Sequence, residues 1–327
     1  MAVMTPIEIH NLVASDLSRV ETELRANMKC EVAPVTQVGE HLMDGGGKRV
    51  RPTLMLLSAG LLGEVNDTVI RLAAIVEFIH NATLVHDDVI DAADTRRGRP
   101  SANVVWGNPL AVFAGDWLYM QSIAMAVREN NFEILQTLID VTRNMIEGEL
   151  LQLTLIGKIE VTRRQMLDVV ERKTACLFSG CTKLPAIAAG VDAQCVAQLA
   201  NVGRCLGISF QLIDDLLDLT STTETLGKPV SSDLAEGKLT YPVLVALRQA
   251  GAGGVRKVKT VLEERGFNSV RRAEISELVR QAQGIAYTQA LAKAYSQRAV
   301  RALGSFPPSP YRDAILSIAD FIVNRNF

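Results

Sequence analysis

The sequence predicts an all-α protein, and three observations carry that expectation. Apolar residues recur with a period near 3.6 in almost every segment, strand-like alternation is nearly absent, and Gly/Pro breaks divide the chain into stretches of helical length. Residues 6–29 read as an amphipathic surface helix, and 53–62, apolar on nearly every side, as a central one. Further helices are expected over 67–93, 109–128, 131–156, 162–178, 193–221 and 239–249. Breaks fall at Gly98-Arg99-Pro100, Gly107-Asn108-Pro109, Gly157, Gly227-Lys228-Pro229 and Gly251-Ala252-Gly253-Gly254, the last being the best candidate for a sub-boundary. Beyond it, 255–304 is charged and helical, and Pro307-Pro308-Ser309-Pro310 introduces a final apolar helix ending at Phe327. With 327 residues and 48% hydrophobic content the chain can bury a large core, and 1–327 reads as a single domain.

The 34 basic and 36 acidic residues leave a net charge of −2, without a basic tail or block, which argues against nucleic acid as a partner. Cys30, Cys176, Cys181, Cys195 and Cys205 are scattered and lack Cys-x-x-Cys spacing, so they read as reduced core thiols and suggest the cytoplasm. No basic segment followed by an apolar run opens the sequence, and the apolar stretches are interrupted by residues such as Asp116. Neither secretion nor a membrane span is expected.

The most informative stretch is 77–100, where an apolar helical pattern carries four aspartates and then three arginines. Asp87 and Asp91, one turn apart, project from one face with Asp88 beside them. Like charges about 4 Å apart repel by roughly 4 kcal/mol at an effective dielectric near 20, and no base precedes Arg96 to relieve this. Oxygen-only ligands on a helix suit a hard cation such as Mg²⁺, which takes one or two carboxylates and completes its shell with waters and phosphates. The pattern recurs: Leu84-Val-His-Asp-Asp-Val-Ile-Asp91 is echoed by Gln211-Leu-Ile-Asp-Asp-Leu-Leu-Asp218, so two acidic turns on core helices are expected to face each other. A solvated face seldom sits inside such apolar runs.

Basic residues form separate constellations. Asp44-Gly-Gly-Gly-Lys-Arg-Val-Arg-Pro52 offers a flexible backbone with Lys48, Arg49 and Arg51 just before a helix, a reasonable phosphate cradle. It is no Walker A loop, because position 42 is Leu and Lys48 is followed by Arg49. Arg96, Arg97 and Arg99 follow the first acidic turn, and Lys173-Thr174, Lys228 and Lys238 bracket the second.

Taken together, these residues resemble the trans-isoprenyl diphosphate synthases, particularly the long-chain polyprenyl diphosphate synthases that make quinone side chains. The resemblance covers about 40–245, with both Asp-Asp-x-x-Asp motifs, Gly-Gly-Lys-Arg-x-Arg-Pro and Gly-Lys-Pro in order. It implies an antiparallel helical bundle around a central cavity, usually a homodimer. It also implies three Mg²⁺ ions, replaceable by Mn²⁺, held by Asp87, Asp88, Asp91, Asp214 and Asp218, with Asp215 in support. Arg96, Lys173, Thr174, Gln211, Lys228 and Lys238 would then contact the allylic diphosphate, farnesyl or geranylgeranyl, and Lys48, Arg51, His80 and Arg97 the isopentenyl diphosphate.

Such chemistry requires stabilising charge on a leaving diphosphate and exclusion of water from an allylic cation, so 221–238 is the candidate lid, and Arg325 is a candidate for closing the site. His86 points away from the face that His80 shares with Asp87. Ala82 and Thr83, about one 5.4 Å turn below Asp87, are small. In the family, bulky aromatics there stop growth early, so a long product of octaprenyl to decaprenyl length is implied, with a floor at Trp117, Tyr119, Met120 or Met125. Transient membrane contact would serve release of such a product. The alternatives are a medium-chain farnesyl or geranylgeranyl synthase, or a non-catalytic subunit of a heteromeric synthase. A terpene cyclase would lack the second acidic motif in this form and the Lys48/Arg51 site. A di-iron bundle is disfavoured because Glu77-x-x-His80 has no second copy: the residues three before His10, His41 and His86 are Ile7, Val38 and Thr83.

Overall fold

The structure, a computed structural model, describes residues 3–220 and 231–325. The all-α expectation holds: apart from one two-stranded hairpin, every regular element among the described residues is helical. Two compact units are present, Met1–Thr142 with Gly180–Ala200 and Ser305–Ser317, and Arg143–Ser179 with Asn201–Gly304 and Ile318–Phe327.

In the first unit the order is α1 (Pro6–Asn27), α2 (Ala33–Asp44), α3 (Val50–Leu61), α4 (Asp67–Ile90), the hairpin β1 (Thr95–Arg96) and β2 (Arg99–Pro100), α5 (Ala102–Trp106) and α6 (Asn108–Arg128). A capping box starts α1: Thr5 Oγ1 accepts from the Glu8 amide at 3.3 Å, and the Glu8 carboxylate accepts from the Thr5 amide at 2.7 Å. The axis is α4, against which α1, α3, α5 and α6 pack. Leu72, Ile75, Val76, Phe78 and Ile79 are all 0% exposed. Burial of each such aliphatic or aromatic side chain is worth about 1.5–3 kcal/mol, which is why this helix is apolar on several sides.

Helix α2 lacks a sequence signal because Gly39 interrupts it. A Cβ at that position would lie 2.2 Å from Met28 Sδ, so the glycine admits Met28 against the helix. The break at Gly98 is a hairpin. Arg96 pairs with Arg99 across the loop Arg97-Gly98, whose φ angles of 52° and 75° suit the mirror-image turn that fits strand twist.

Four helices contribute residues to both units: α7 (Phe132–Leu155), α9 (Cys176–Ala188), α10 (Ala193–Thr220) and α16 (Pro310–Asn324). Before α9 lies α8 (Arg163–Val170), joined to it by one π-helical turn, Glu171–Ala175, so the expected 162–178 helix extends to Ala188. The rest of the second unit comprises α11 (Ser232–Ala235), α12 (Tyr241–Leu247), α13 (Ala252–Glu264), α14 (Arg272–Gln281) and α15 (Gly284–Leu303). Its centre is α12, buried from Tyr241 to Ala246 and packed on α8, α13, α14 and α15. The α15 backbone approaches closely: a Cβ on Gly284 would sit 2.4 Å from the Pro242 carbonyl oxygen. The glycines at 251–254 mark no sub-boundary. They open α13 inside the second unit, with Gly251 as N-cap.

Candidate active site

At the end of α4, Asp91 is the C-cap, its amide donating to the Asp87 carbonyl at 2.8 Å. Asp87 is half-buried, Asp91 exposed and Asp88 only 1% exposed. The expectation that this turn has no counter-charge of its own is corrected for Asp88. The turn in the hairpin brings Arg96 back, with Nε 2.7 Å and Nη2 2.6 Å from Asp88 Oδ1. Arg96 is thereby engaged by Asp88 through two of its three guanidinium nitrogens. Asp88 Oδ2 is buried without a hydrogen-bond partner.

Two turns deeper, Arg51 Nη1 lies 3.0 Å from His80 Nε2. Burial first, and then the charges of Arg51, Arg97, Arg96 and Arg49, push the His80 pKa well below its usual value. The ring is therefore neutral, and Nε2 accepts from the guanidinium. The same crowding acts on Arg97, whose pKa is lowered chiefly by burial. Arg97 lies against the Gly45–Gly47 turn, where a Cβ on Gly47 would meet its Nη1 at 2.9 Å. Lys48 is exposed. These cations, gathered around a neutral histidine, make an anion-attracting patch.

Arg49 has a different task. In a left-handed conformation (φ 45°), it bonds Glu21 Oε1 at 2.5 Å through Nε and Glu77 Oε1 at 2.6 Å through Nη1. It braces α1 and α4 at the start of α3, so Glu77 is committed to an ion pair and the di-iron reading loses its glutamate. Ala82 is fully buried, and the Thr83 hydroxyl donates to the His80 carbonyl at 2.7 Å. His86 turns to α6, with Nε2 3.1 Å from the Val112 carbonyl and 3.4 Å from Asp116. Gly115 makes room there, since a Cβ would lie 2.3 Å from that nitrogen. Of the floor candidates, Met125 is 3% exposed, whereas Met120 is 64% exposed and faces outward, which removes it.

In the second unit Lys173 and Thr174 sit in the π-helical turn, a distortion that often marks functional sites. Gly148 on α7 admits the turn: a Cβ there would lie 2.6 Å from the Lys173 amide nitrogen. The Lys173 ammonium bonds Gln152 Oε1 at 2.8 Å and forms an ion pair with Glu149. A relay runs onward. Thr174 Oγ1 donates to Gln211 Oε1 at 2.8 Å, Gln211 Nε2 donates to Asp215 Oδ1 at 3.0 Å, and the Tyr241 amide donates to Asp215 Oδ2 at 3.3 Å. Burial pushes the Asp215 pKa up to about 7, aided by Asp233 and Asp214 and partly offset by the Gln211 and Tyr241 donors.

Asp218 is also buried. It accepts from the Ser232 hydroxyl at 2.8 Å and from the amides of Ser232 and Asp233 at 3.3 Å, thereby anchoring α11. Its oxygens hold the chain return at α11. Asp214 is the accessible member of the motif, 38% exposed, and Arg325 Nη1 lies 3.2 Å from its Oδ1 while stacking over Phe210. Lys238 Nζ bonds Glu236 Oε2 at 2.9 Å. Lys228 and residues 221–230 of the expected lid lie outside the described residues. Sequence reasoning missed Glu149 and Gln152, although their spacing of three on α7 marks a shared helix face.

The chemistry of the donors fits a hard cation. In the first unit Asp87 and Asp91 offer accessible carboxylates and Asp88 a buried oxygen lacking a donor; in the second unit Asp214 offers an accessible carboxylate of its own. Among the described residues no three Asp, Glu, His or Cys side chains cluster tightly enough to enclose a metal. An open set of this kind suits Mg²⁺, which draws the rest of its shell from water and phosphate.

The model of the Polyprenyl synthetase family matches residues 32–279. The octaprenyl diphosphate synthase of Haemophilus influenzae is 36% identical over 325 residues, covering 99% of this chain and 98% of that protein. Among solved structures, a polyprenyl synthase from Caulobacter crescentus complexed with calcium and isoprenyl diphosphate superposes with a TM-score of 0.94 at 35% identity, covering 99% of each chain. A decaprenyl diphosphate synthase from Rhodobacter capsulatus gives 0.93 at 35% identity, over 98% of this chain and 99% of that one.

Proposed function

Given that the chain belongs to the polyprenyl synthetase family, we propose that it extends an allylic diphosphate head-to-tail with isopentenyl diphosphate to an all-trans polyprenyl diphosphate of octaprenyl to decaprenyl length. One observation carries this reading most: within two turns of α4, an acidic turn able to bind a cation lies next to His80, Arg51 and Arg97, which form a patch able to bind an anion.

In the proposed reaction the allylic C–O bond breaks and its electron pair leaves with diphosphate. The isopentenyl double bond then forms the new C–C bond, and a proton passes to the departing diphosphate. Asp87 and Asp91 in the first unit and Asp214 in the second would hold divalent cations, Mg²⁺ or Mn²⁺, which would supply charge neutralisation at that leaving group. Lys173 adds a fixed ammonium, aligned by Glu149 and Gln152, and Lys228 and Lys238 complete the basic set. Arg51 and Arg97 hold the second diphosphate, with neutral His80 as acceptor for Arg51 and Lys48 at the rim. Asp88 acts through Arg96, Asp215 through Gln211 and Thr174, and Asp218 through α11. Ala82, small and fully buried, stands where a bulky side chain would stop the growing chain early.

We assign the enzyme to the cytoplasm and its product to quinone side chains; farnesyl or geranylgeranyl diphosphate is the primer. A homodimer is supported by two exposed apolar stripes at spacings of seven: Phe113, Met120 and Val127 on α6, and Phe132, Ile139, Ile146 and Leu153 on α7. All six motif aspartates are present, which favours a catalytic chain over a non-catalytic subunit. Incubation of the purified chain with Mg²⁺, farnesyl diphosphate and labelled isopentenyl diphosphate tests this. Incorporation of label into longer prenyl diphosphates is expected; no prenyl product from the chain alone would favour the subunit reading.

A further inference from the structure

Helix α15 differs from its neighbours in charge. From Leu278 to Arg312 the sequence holds no Asp or Glu but carries Arg280, Lys293, Arg298, Arg301 and Arg312. On α13, α14 and the residue that opens α14, Lys257 and Arg271 pair with Glu274, Lys259 with Glu263, and Arg280 with Glu277, which leaves Arg256 as an exposed cation without a carboxylate partner among the described residues. On α15, Lys293, Arg298 and Arg301 are exposed, and among the described residues none of them pairs with a carboxylate.

The inward side of α15 is already complete. Thr288, Ala292, Ser296, Ala299 and Leu303 are buried on it, and the Ser296 hydroxyl donates to the Ala319 carbonyl at 2.8 Å. The helix therefore owes its place in the unit to that side. The outward side carries three cations, the small residues Ala286 and Ala290, the neutral Gln289, Gln297 and Val300, and Tyr287 at 52% exposure. The Arg298 guanidinium stacks on the Tyr295 ring, 4.9 Å from its centroid. A cationic helix face with small residues and tyrosines matches a negatively charged lipid surface, where tyrosine favours the headgroup region.

We propose that the exposed face of α15 docks the enzyme on an anionic lipid bilayer. The idea rests on the proposed long polyprenyl product, which is insoluble in water and must leave into a lipid phase. Each Lys or Arg near an anionic surface strengthens binding about fivefold, so three together give roughly 100-fold. A polyanion such as DNA is disfavoured, because the chain as a whole carries a net charge of −2 and this face has only three unpaired cations.

Co-sedimentation of the full-length protein, without substrates, with phosphatidylcholine vesicles and with equal parts phosphatidylcholine and phosphatidylglycerol tests this. The wild type is expected to bind the anionic vesicles preferentially and to be released by salt. Lys293→Glu/Arg298→Glu/Arg301→Glu is expected to lose more than about 100-fold in that binding while keeping its melting temperature and its turnover in detergent. A Lys293→Gln/Arg298→Gln/Arg301→Gln variant, expected to lose less, serves if the charge reversal does not fold. No preference for anionic vesicles, unchanged binding by both variants, or tighter binding to duplex DNA than to vesicles would overturn the proposal. An inactive chain that still binds through α15 would sink the functional reading alone, whereas an active chain that ignores vesicles would sink the docking alone.

Discussion

Arg96 and Asp88 form a two-point contact at the end of α4, with guanidinium nitrogens 2.7 Å and 2.6 Å from a single carboxylate oxygen. Asp88 is 1% exposed and the Arg96 side chain 32%, so the carboxylate cannot easily exchange its partner for water. Arg96→Ala strands a buried charge. A loss of about 2–3 kcal/mol is expected, discounted from a fully buried pair because the arginine is partly exposed. Urea unfolding would read it, and Asp88→Asn in the same background should recover part of the loss. An unchanged midpoint would show that the pair is not structural.

Asp215 sets a pH dependence of stability. Its folded pKa of about 7 is raised above the usual 3.8. The folded state therefore holds its proton more tightly, and the associated stability is present below about pH 4 and lost as pH rises through about 7. The difference between wild type and Asp215→Asn, followed by thermal melting from pH 5 to 8.5, should favour the variant increasingly at high pH, by up to about 4 kcal/mol. A difference independent of pH would contradict this.

Lys173 is an ammonium oriented in the second unit by Gln152 and Glu149. Lys173→Ala is expected to lower kcat about 100-fold or more, in line with removal of one preorganised electrostatic donor. Its melting temperature should change little, because Gly148 still accommodates the π-helical turn. Steady-state kinetics with farnesyl diphosphate would check the first expectation and calorimetry the second.

Ala82→Phe is expected to shorten the products by placing a ring one turn, about 5.4 Å, below Asp87. Because Ala82 is 0% exposed, some stability, about 1–3 kcal/mol, should also be lost to overpacking. Reverse-phase sizing of products would show the shift; an unchanged ladder would remove Ala82 from the cavity wall.

The helical class and most helix spans were legible in the sequence because the apolar period of α4, α6, α7 and α10 is long and regular. Helix α2 was not, because Gly39 serves packing against Met28 at the expense of helix propensity. The π-helical turn at Lys173 was also hidden. It depends on Gly148 closing in from a distant stretch of sequence. In the candidate site, spacing identified the aspartates but could not tell their roles apart. Asp87, Asp88 and Asp91 look alike in sequence, and only the fold-back of Arg96 through the Arg97-Gly98 turn separates the buried one from its neighbours. The same holds for Asp218, whose partners Ser232 and Asp233 follow across a loop.

The size distribution of the wild-type product tests the central claim most directly. With Mg²⁺, farnesyl diphosphate and excess isopentenyl diphosphate, the expected result is an all-trans ladder ending between octaprenyl and decaprenyl diphosphate. A product that stops at geranylgeranyl diphosphate would contradict it.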